Sequence, residues 1–319
     1  MPDNEQTEFH SDASAVTDAA PVDSPWDSKV QIKPRGIAPI WHTLLLVVGI
    51  LAYSVWGAMG AKTGSTNPIA PPSGSVHAKA GGTDHARLIR YALTGALELG
   101  IVAWVVFGMR LRKVPFRSLF GAWPKGLNAI TMEILVAAAF WVSSMIVLMV
   151  FALSWLFVQD HIYKQEAIHP PASSSQSASA AKPKSPEQQQ SDLIKQLSEL
   201  APVNGMEIAA WGLLCLVVGF SEELIFRGYM QSQSIAILRN TPIAVIATAV
   251  VFGAAHGYQG TRGVFLISIF GALFGVITLL RRSLLPGMIA HSWHDFATGM
   301  ALALIRSSHL LEHLQAAPK

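Results

Sequence analysis

The sequence predicts an all-α protein: a polytopic transmembrane helix bundle of about seven spans, preceded by a disordered N-terminal tail. Hydrophobic residues make up 51% of the chain and charged residues only 13%, against about a quarter charged in soluble domains. Several stretches run about 17 or more residues nearly free of charge, and about 20 suffice to cross a hydrocarbon core about 30 Å thick. The basic residues gather in short connections between those stretches, where they set topology. With a net charge of only +3, nothing marks a nucleic-acid partner, and the lipid bilayer is the expected environment.

Residues 1–36 are rich in Asp, Ser, Ala, Thr and Pro, a composition that buries too little apolar surface to offset the entropy of ordering. The first 35 residues hold no apolar core of a secretory signal, so the first span is expected to target the chain. Apolar spans follow at about 38–60, 88–109, 128–158, 206–238, 241–258, 263–280 and 286–305. The Gly-, Ser- and Pro-containing segment 62–87 and the Ser/Pro/Gln-rich segment 160–205 read as flexible loops. The second divides a three-helix part, 37–159, from a four-helix part, 206–305, in which all the chemistry is expected; 306–319 form a short tail.

Lys29, Lys33 and Arg35 precede the first span, Arg110, Arg112, Lys113, Arg117 and Lys125 crowd the second connection, and Arg281 and Arg282 occupy the sixth. These loops are expected to face the cytoplasm. The reading is an integral protein of a bacterial-type cytoplasmic membrane with a cytoplasmic N-terminus. Tryptophans in or beside spans, such as Trp41, Trp123 and Trp293, read as interfacial anchors. Gly271 and Gly275 form a GxxxG pair, read as a packing device. The single cysteine, Cys215, has no disulfide partner and reads as a buried structural thiol.

Ionisable groups within spans point to function by default. Three clusters of polar residues interrupt the C-terminal spans: Ser221-Glu222-Glu223-Leu224-Ile225-Phe226-Arg227, then Phe252-Gly253-Ala254-Ala255-His256, then His291-Ser292-Trp293-His294-Asp295. On a helix Glu223 and Arg227 share a face and can pair, whereas Glu222 is turned about 100° away and stays free. His291 and Asp295 likewise share a face. One carboxylate and two imidazoles can thus converge between helices. If the fourth span is one long helix, Glu222 and His256 each lie about sixteen residues, or about 24 Å, from the intervening turn. His291 lies shallower by this count, and helix tilt or a loop dipping in before Pro286 has to supply the difference.

The ordered series EExxxR, FxxxH and HxxxD, each in an apolar helix, resembles the motifs of the CAAX-protease and bacteriocin-processing family of intramembrane proteases. The similarity covers about residues 206–305. It implies an intramembrane glutamic-type endopeptidase without a cofactor, acting on a protein or peptide substrate, for which prenylated or membrane-tethered proteins, peptide precursors and membrane-protein termini are equally open. It assigns Glu222 as the base that activates water, His256 as its helper, and Glu223, Arg227 and Phe252 as supporting residues. His291 and Asp295 would stabilise the oxyanion. Many members resemble one another in carrying Asn where this chain has Asp295, and an ionised Asp cannot donate. Two readings are open: Asp295 is protonated, or it accepts from His291 and orients that ring, the reading preferred here.

Three other readings compete. Two His with a Glu and an Asp make a plausible zinc set, although HExxH is missing. The polar residues can merely pair across helices, or the chain can be a non-catalytic immunity or sorting protein that binds without turnover. Glu98, alone in the second span, marks either an ion pathway or, the reading preferred here, a locally hydrogen-bonded carboxyl.

Overall fold

A computed structural model describes residues 36–63, 85–168 and 186–308. The N-terminal tail to residue 35 with its three basic residues, most of the 62–87 segment, residues 169–185 of the Ser/Pro/Gln-rich segment and the tail from 309 lie outside the described residues. Nine α-helices form among the described residues: α1 (Ile40–Thr63), α2 (His85–Leu111), α3 (Leu127–Ile168), α4 (Pro186–Ser198), α5 (Gly205–Glu222), α6 (Ser232–Leu238), α7 (Thr241–Ala255), α8 (Gly260–Arg281) and α9 (Leu285–Ser307). A π-helical segment, Glu223–Gln231, joins α5 to α6 without a break. The result is one rod from Gly205 to Leu238, the long fourth helix that the sequence required.

Each predicted span corresponds to a helix. Among the described residues, five stretches are long and apolar enough to cross a membrane: Ile40–Gly57, His85–Leu111, Leu127–Ile162, Gly205–Leu238 and Gly257–Arg281. The chain is an integral membrane helix bundle. The other two differ for physical reasons. α7 has 15 residues, about 22 Å of helix against a core about 30 Å thick, so its end and His256 lie short of a full crossing. α9 has the length but carries His291, His294 and Asp295. Two boundaries also move: α3 continues to Ile168, and α4 stands within the stretch read as a flexible loop.

Local chemistry sets the helix starts. The Asn204 side chain accepts from the Glu207 amide at the start of α5, and Asn240 accepts from the Ile243 amide at the start of α7, followed by Pro242 in the first turn. These side chains satisfy amides that a helix start leaves without partners. Large apolar side chains such as Leu45, Val48, Leu213 and Leu280 point outward, as lipid contact requires, while Phe226, Phe252, Phe270, Phe274 and Leu284 fill the interior.

Within the core, hydrogen-bond directions can be assigned from the partners alone. His42 Nε2 lies 2.9 Å from the Trp104 carbonyl, which only accepts, so Nε2 is the donor. Nδ1 must then accept from the Tyr229 hydroxyl at 2.8 Å, and Thr43 Oγ1 donates to Tyr229 Oη at 2.9 Å. This fully paired relay ties α1 and α2 to the π segment. A Cβ at Gly108 would strike the His42 ring, so the glycine is what admits it.

The GxxxG pair does more than pack. Gly271 leaves room for Phe252 and Ala249 of α7 and Gly275 for Gln231, and their carbonyls accept from Arg227 (3.4 Å) and Gln231 (3.2 Å), residues likewise four apart on the facing π segment. The reading of these glycines as packing alone is therefore corrected.

Candidate active site

The site forms where the rod changes from α to π geometry. Single π turns within α-helices recur at functional sites because the wider turn redirects side chains. Here both glutamates at the junction reach one ring. His291 Nδ1 lies 2.9 Å from Glu223 Oε1, and His291 Nε2 lies 3.5 Å from Glu222 Oε2 and 3.8 Å from Asp295 Oδ2. The depth mismatch expected for His291 is absent, since α9 packs along α5 and brings the ring level with the junction. Gly219 permits that approach, because a Cβ there would meet Ser292.

Glu223 and Arg227 form the predicted pair at 2.9 Å, and both are buried. The Arg227 guanidinium stands 4.2 Å over the Phe252 ring and 5.4 Å from that of Phe274, a cation–π arrangement that helps an arginine in an apolar interior. Glu223 is therefore committed, with one oxygen facing both Arg227 and His291. Glu222 makes no hydrogen bond to a described residue and keeps 9% exposure, against 0% for Glu223. Of the two adjacent glutamates it is the more exposed, while the Asp295 side chain, 27% exposed against 12% for that of Glu222, is more open still.

His256 caps the end of α7, its Nδ1 2.9 Å from the Phe252 carbonyl. A carbonyl only accepts, so Nδ1 carries the proton and Nε2 presents a lone pair. The turn after it is held by Ser54 of α1, which donates to the Ala254 carbonyl (2.6 Å) and accepts from the Gly257 amide (3.1 Å). The Phe252 ring joins the two imidazoles, 5.0 Å from His256 and 6.1 Å from His291, measured between centroids. His294 packs against Phe270.

Asp295 does not hold the His291 ring. Its oxygen is beyond hydrogen-bond distance and faces Nε2, while Glu223 makes the hydrogen bond that fixes the ring through Nδ1. Four residues of separation on one helix put Asp295 near the ring but leave the orienting contact to another helix. The buried Arg87–Glu207 pair (2.5 Å) joins α2 to α5, and Arg281 pairs with Glu133 between α8 and α3. The sequence analysis does not single out Arg87, Glu133 or Glu207, although all three are charges at or near span ends. Cys215 is free and buried, as expected. Among the described residues, no three His, Cys, Asp or Glu side chains are arranged as a metal-holding group.

Chemically, the arrangement offers a carboxylate without a hydrogen-bond partner among the described residues, beside the His291 imidazole, and a second imidazole, His256, on the other side of the Phe252 ring. Residues 204–297 match the family model described as type II CAAX prenyl endopeptidase Rce1-like. No curated protein and no solved structure shows significant similarity to the chain.

Proposed function

Residues 204–297 belong to the CAAX-type intramembrane protease family, and from that premise we propose that the chain hydrolyses peptide bonds with water activated by Glu222. The observation that carries this reading is the division of labour between adjacent glutamates: Glu223 is consumed by Arg227 and His291, and Glu222 is left free beside the same ring.

In the proposed reaction a water molecule sits between Glu222 and His256. Glu222 takes one proton, and the His256 Nε2 lone pair accepts a hydrogen bond from the other. The resulting hydroxide adds to the scissile carbonyl carbon. The oxyanion that forms is met by the Nε2–H of His291, whose ring Glu223 holds in place. Glu222 then returns its proton to the leaving amine as the C–N bond breaks, so no covalent acyl-enzyme forms. A positioned base contributes about 10²–10⁴ in rate and one oxyanion donor about 10²–10³. Asp295, unable to donate when ionised, acts in its acid form as a second donor beside Nε2.

A substrate tethered to the bilayer suits the surroundings. An apolar cavity of about 730 Å³, lined in part by Trp155, Ala249, Val250, Gly257 and Phe265, reaches the turn next to His256. A prenyl or acyl chain could lie there with its peptide directed to Glu222.

Cleavage of a membrane-anchored peptide by the purified protein, with and without a chelator and beside Glu222→Ala, tests the proposal. Loss with Glu222→Ala alone supports it. Loss with the chelator transfers the mechanism to a zinc centre, and cleavage that survives the substitution leaves only a binding or structural role for the cluster.

A further inference from the structure

Glu98 is the only charged residue between Tyr91 and Met109 of α2, and it lies outside the segment that matches the family. Its helix face is fixed by its neighbours. One turn earlier, Gly95 faces Leu214 and Val217 of α5, at 3.7 and 4.0 Å from a Cβ built there, and one turn later Ile101 and Val102 pack on the core. Glu98 thus projects toward the rod that carries Glu222. Its Oε2 is buried without a hydrogen-bond partner among the described residues. The carboxyl lies within electrostatic reach of Glu222, His291 and Asp295, and of Tyr53 on α1. The expectation of a locally hydrogen-bonded carboxyl does not describe this oxygen.

The charges around it can be counted. Glu98, Glu222, Glu223 and Asp295 face two positively charged groups, Arg227 and His291, with His256 taken as the neutral acceptor that the proposed reaction needs. In a low-dielectric interior such a cluster stays close to neutral, because an uncompensated carboxylate is expensive there. Two of the four carboxyls must then hold protons. Glu223 is held as an anion by Arg227, and Glu222 has to be ionised to act as a base. Asp295 and Glu98 remain.

We propose that Glu98 is a positioning residue that holds a proton beside Glu222, keeping the base ionised without adding a further negative charge and tying the N-terminal helices to the reaction. This rests on the peptidase reading, but its first test needs no substrate. Infrared spectra of the wild-type protein and of Glu98→Gln, recorded in bilayers at neutral pH, should differ by loss of a protonated-carboxyl C=O stretch. In the kinetic arm, Glu98→Gln, neutral and still polar, should keep kcat within about threefold, and Glu98→Leu should lower it about tenfold or more with KM little changed, each tenfold corresponding to about 1.4 kcal/mol of barrier.

An unchanged carboxyl band means that Glu98 is ionised and overturns the proposal. So does a Glu98→Leu variant with wild-type kcat, or a Glu98→Gln variant as impaired as Glu98→Leu. Thermal unfolding in detergent shows whether Glu98→Leu folds; if it does not, the band and the Glu98→Gln kinetics decide. Should Glu222→Ala stay active, the peptidase mechanism fails while the infrared result still reports on Glu98.

Discussion

The roles of single residues in this site follow from which partners each atom already has. An imidazole with a carboxylate at each nitrogen is held as a donor on both sides, and His291 has Glu223 at Nδ1 and Glu222 with Asp295 at Nε2. His256 donates Nδ1–H to a backbone carbonyl, which leaves Nε2 of the neutral ring as an acceptor. Two histidines are thus given opposite duties by their second contacts. The same logic separates the readings of Asp295. If its acid form is the donor, Asp295→Asn should keep kcat within about threefold, because an amide replaces the donor, while Asp295→Ala should lose about 10². Steady-state kinetics of the pair decides it, and a dead Asp295→Asn would show that the ionised form is required.

Among the elements, the junction in the rod matters most. The spacing of Glu223 and Arg227 made their pairing legible in the sequence, as did the free state of Glu222 and the continuity of the helix. The π geometry was not legible, because an apolar pattern broken by charges reads equally well on either helix type, and it is the wider turn that lets two adjacent glutamates reach one ring. Nor could periodicity show that Gly271 and Gly275 lend their carbonyls to Arg227 and Gln231, since that contact depends on the register between two helices. The Tyr229 relay belongs to this scale. Tyr229→Phe would leave His42 Nδ1 buried without its donor, which should lower stability by about 1–3 kcal/mol. Denaturation in detergent measures it; an unchanged midpoint would show that the relay does not anchor the π segment.

For the whole molecule, the division into a silent N-terminal part and a reactive C-terminal part was drawn from motif positions, and the packing modifies it. Ser54 of α1 steadies the turn behind His256, His42 and Thr43 of α1 hold Tyr229, and Glu98 of α2 lies within electrostatic reach of Glu222, His291 and Asp295. Contacts of this kind join residues more than a hundred positions apart and leave no local pattern to read. The bundle places a carboxylate without a hydrogen-bond partner among the described residues beside His291, where the long rod, α9 and the short helix α7 meet. The role of Glu222 is tested most directly by the kinetics of Glu222→Gln, which keeps the shape of the side chain and removes its basicity. The kcat should fall by about 10² or more, in the range of a positioned base, with KM within a few fold and the unfolding midpoint unchanged. Retention of wild-type kcat by a folded Glu222→Gln protein would show that Glu222 is not the base.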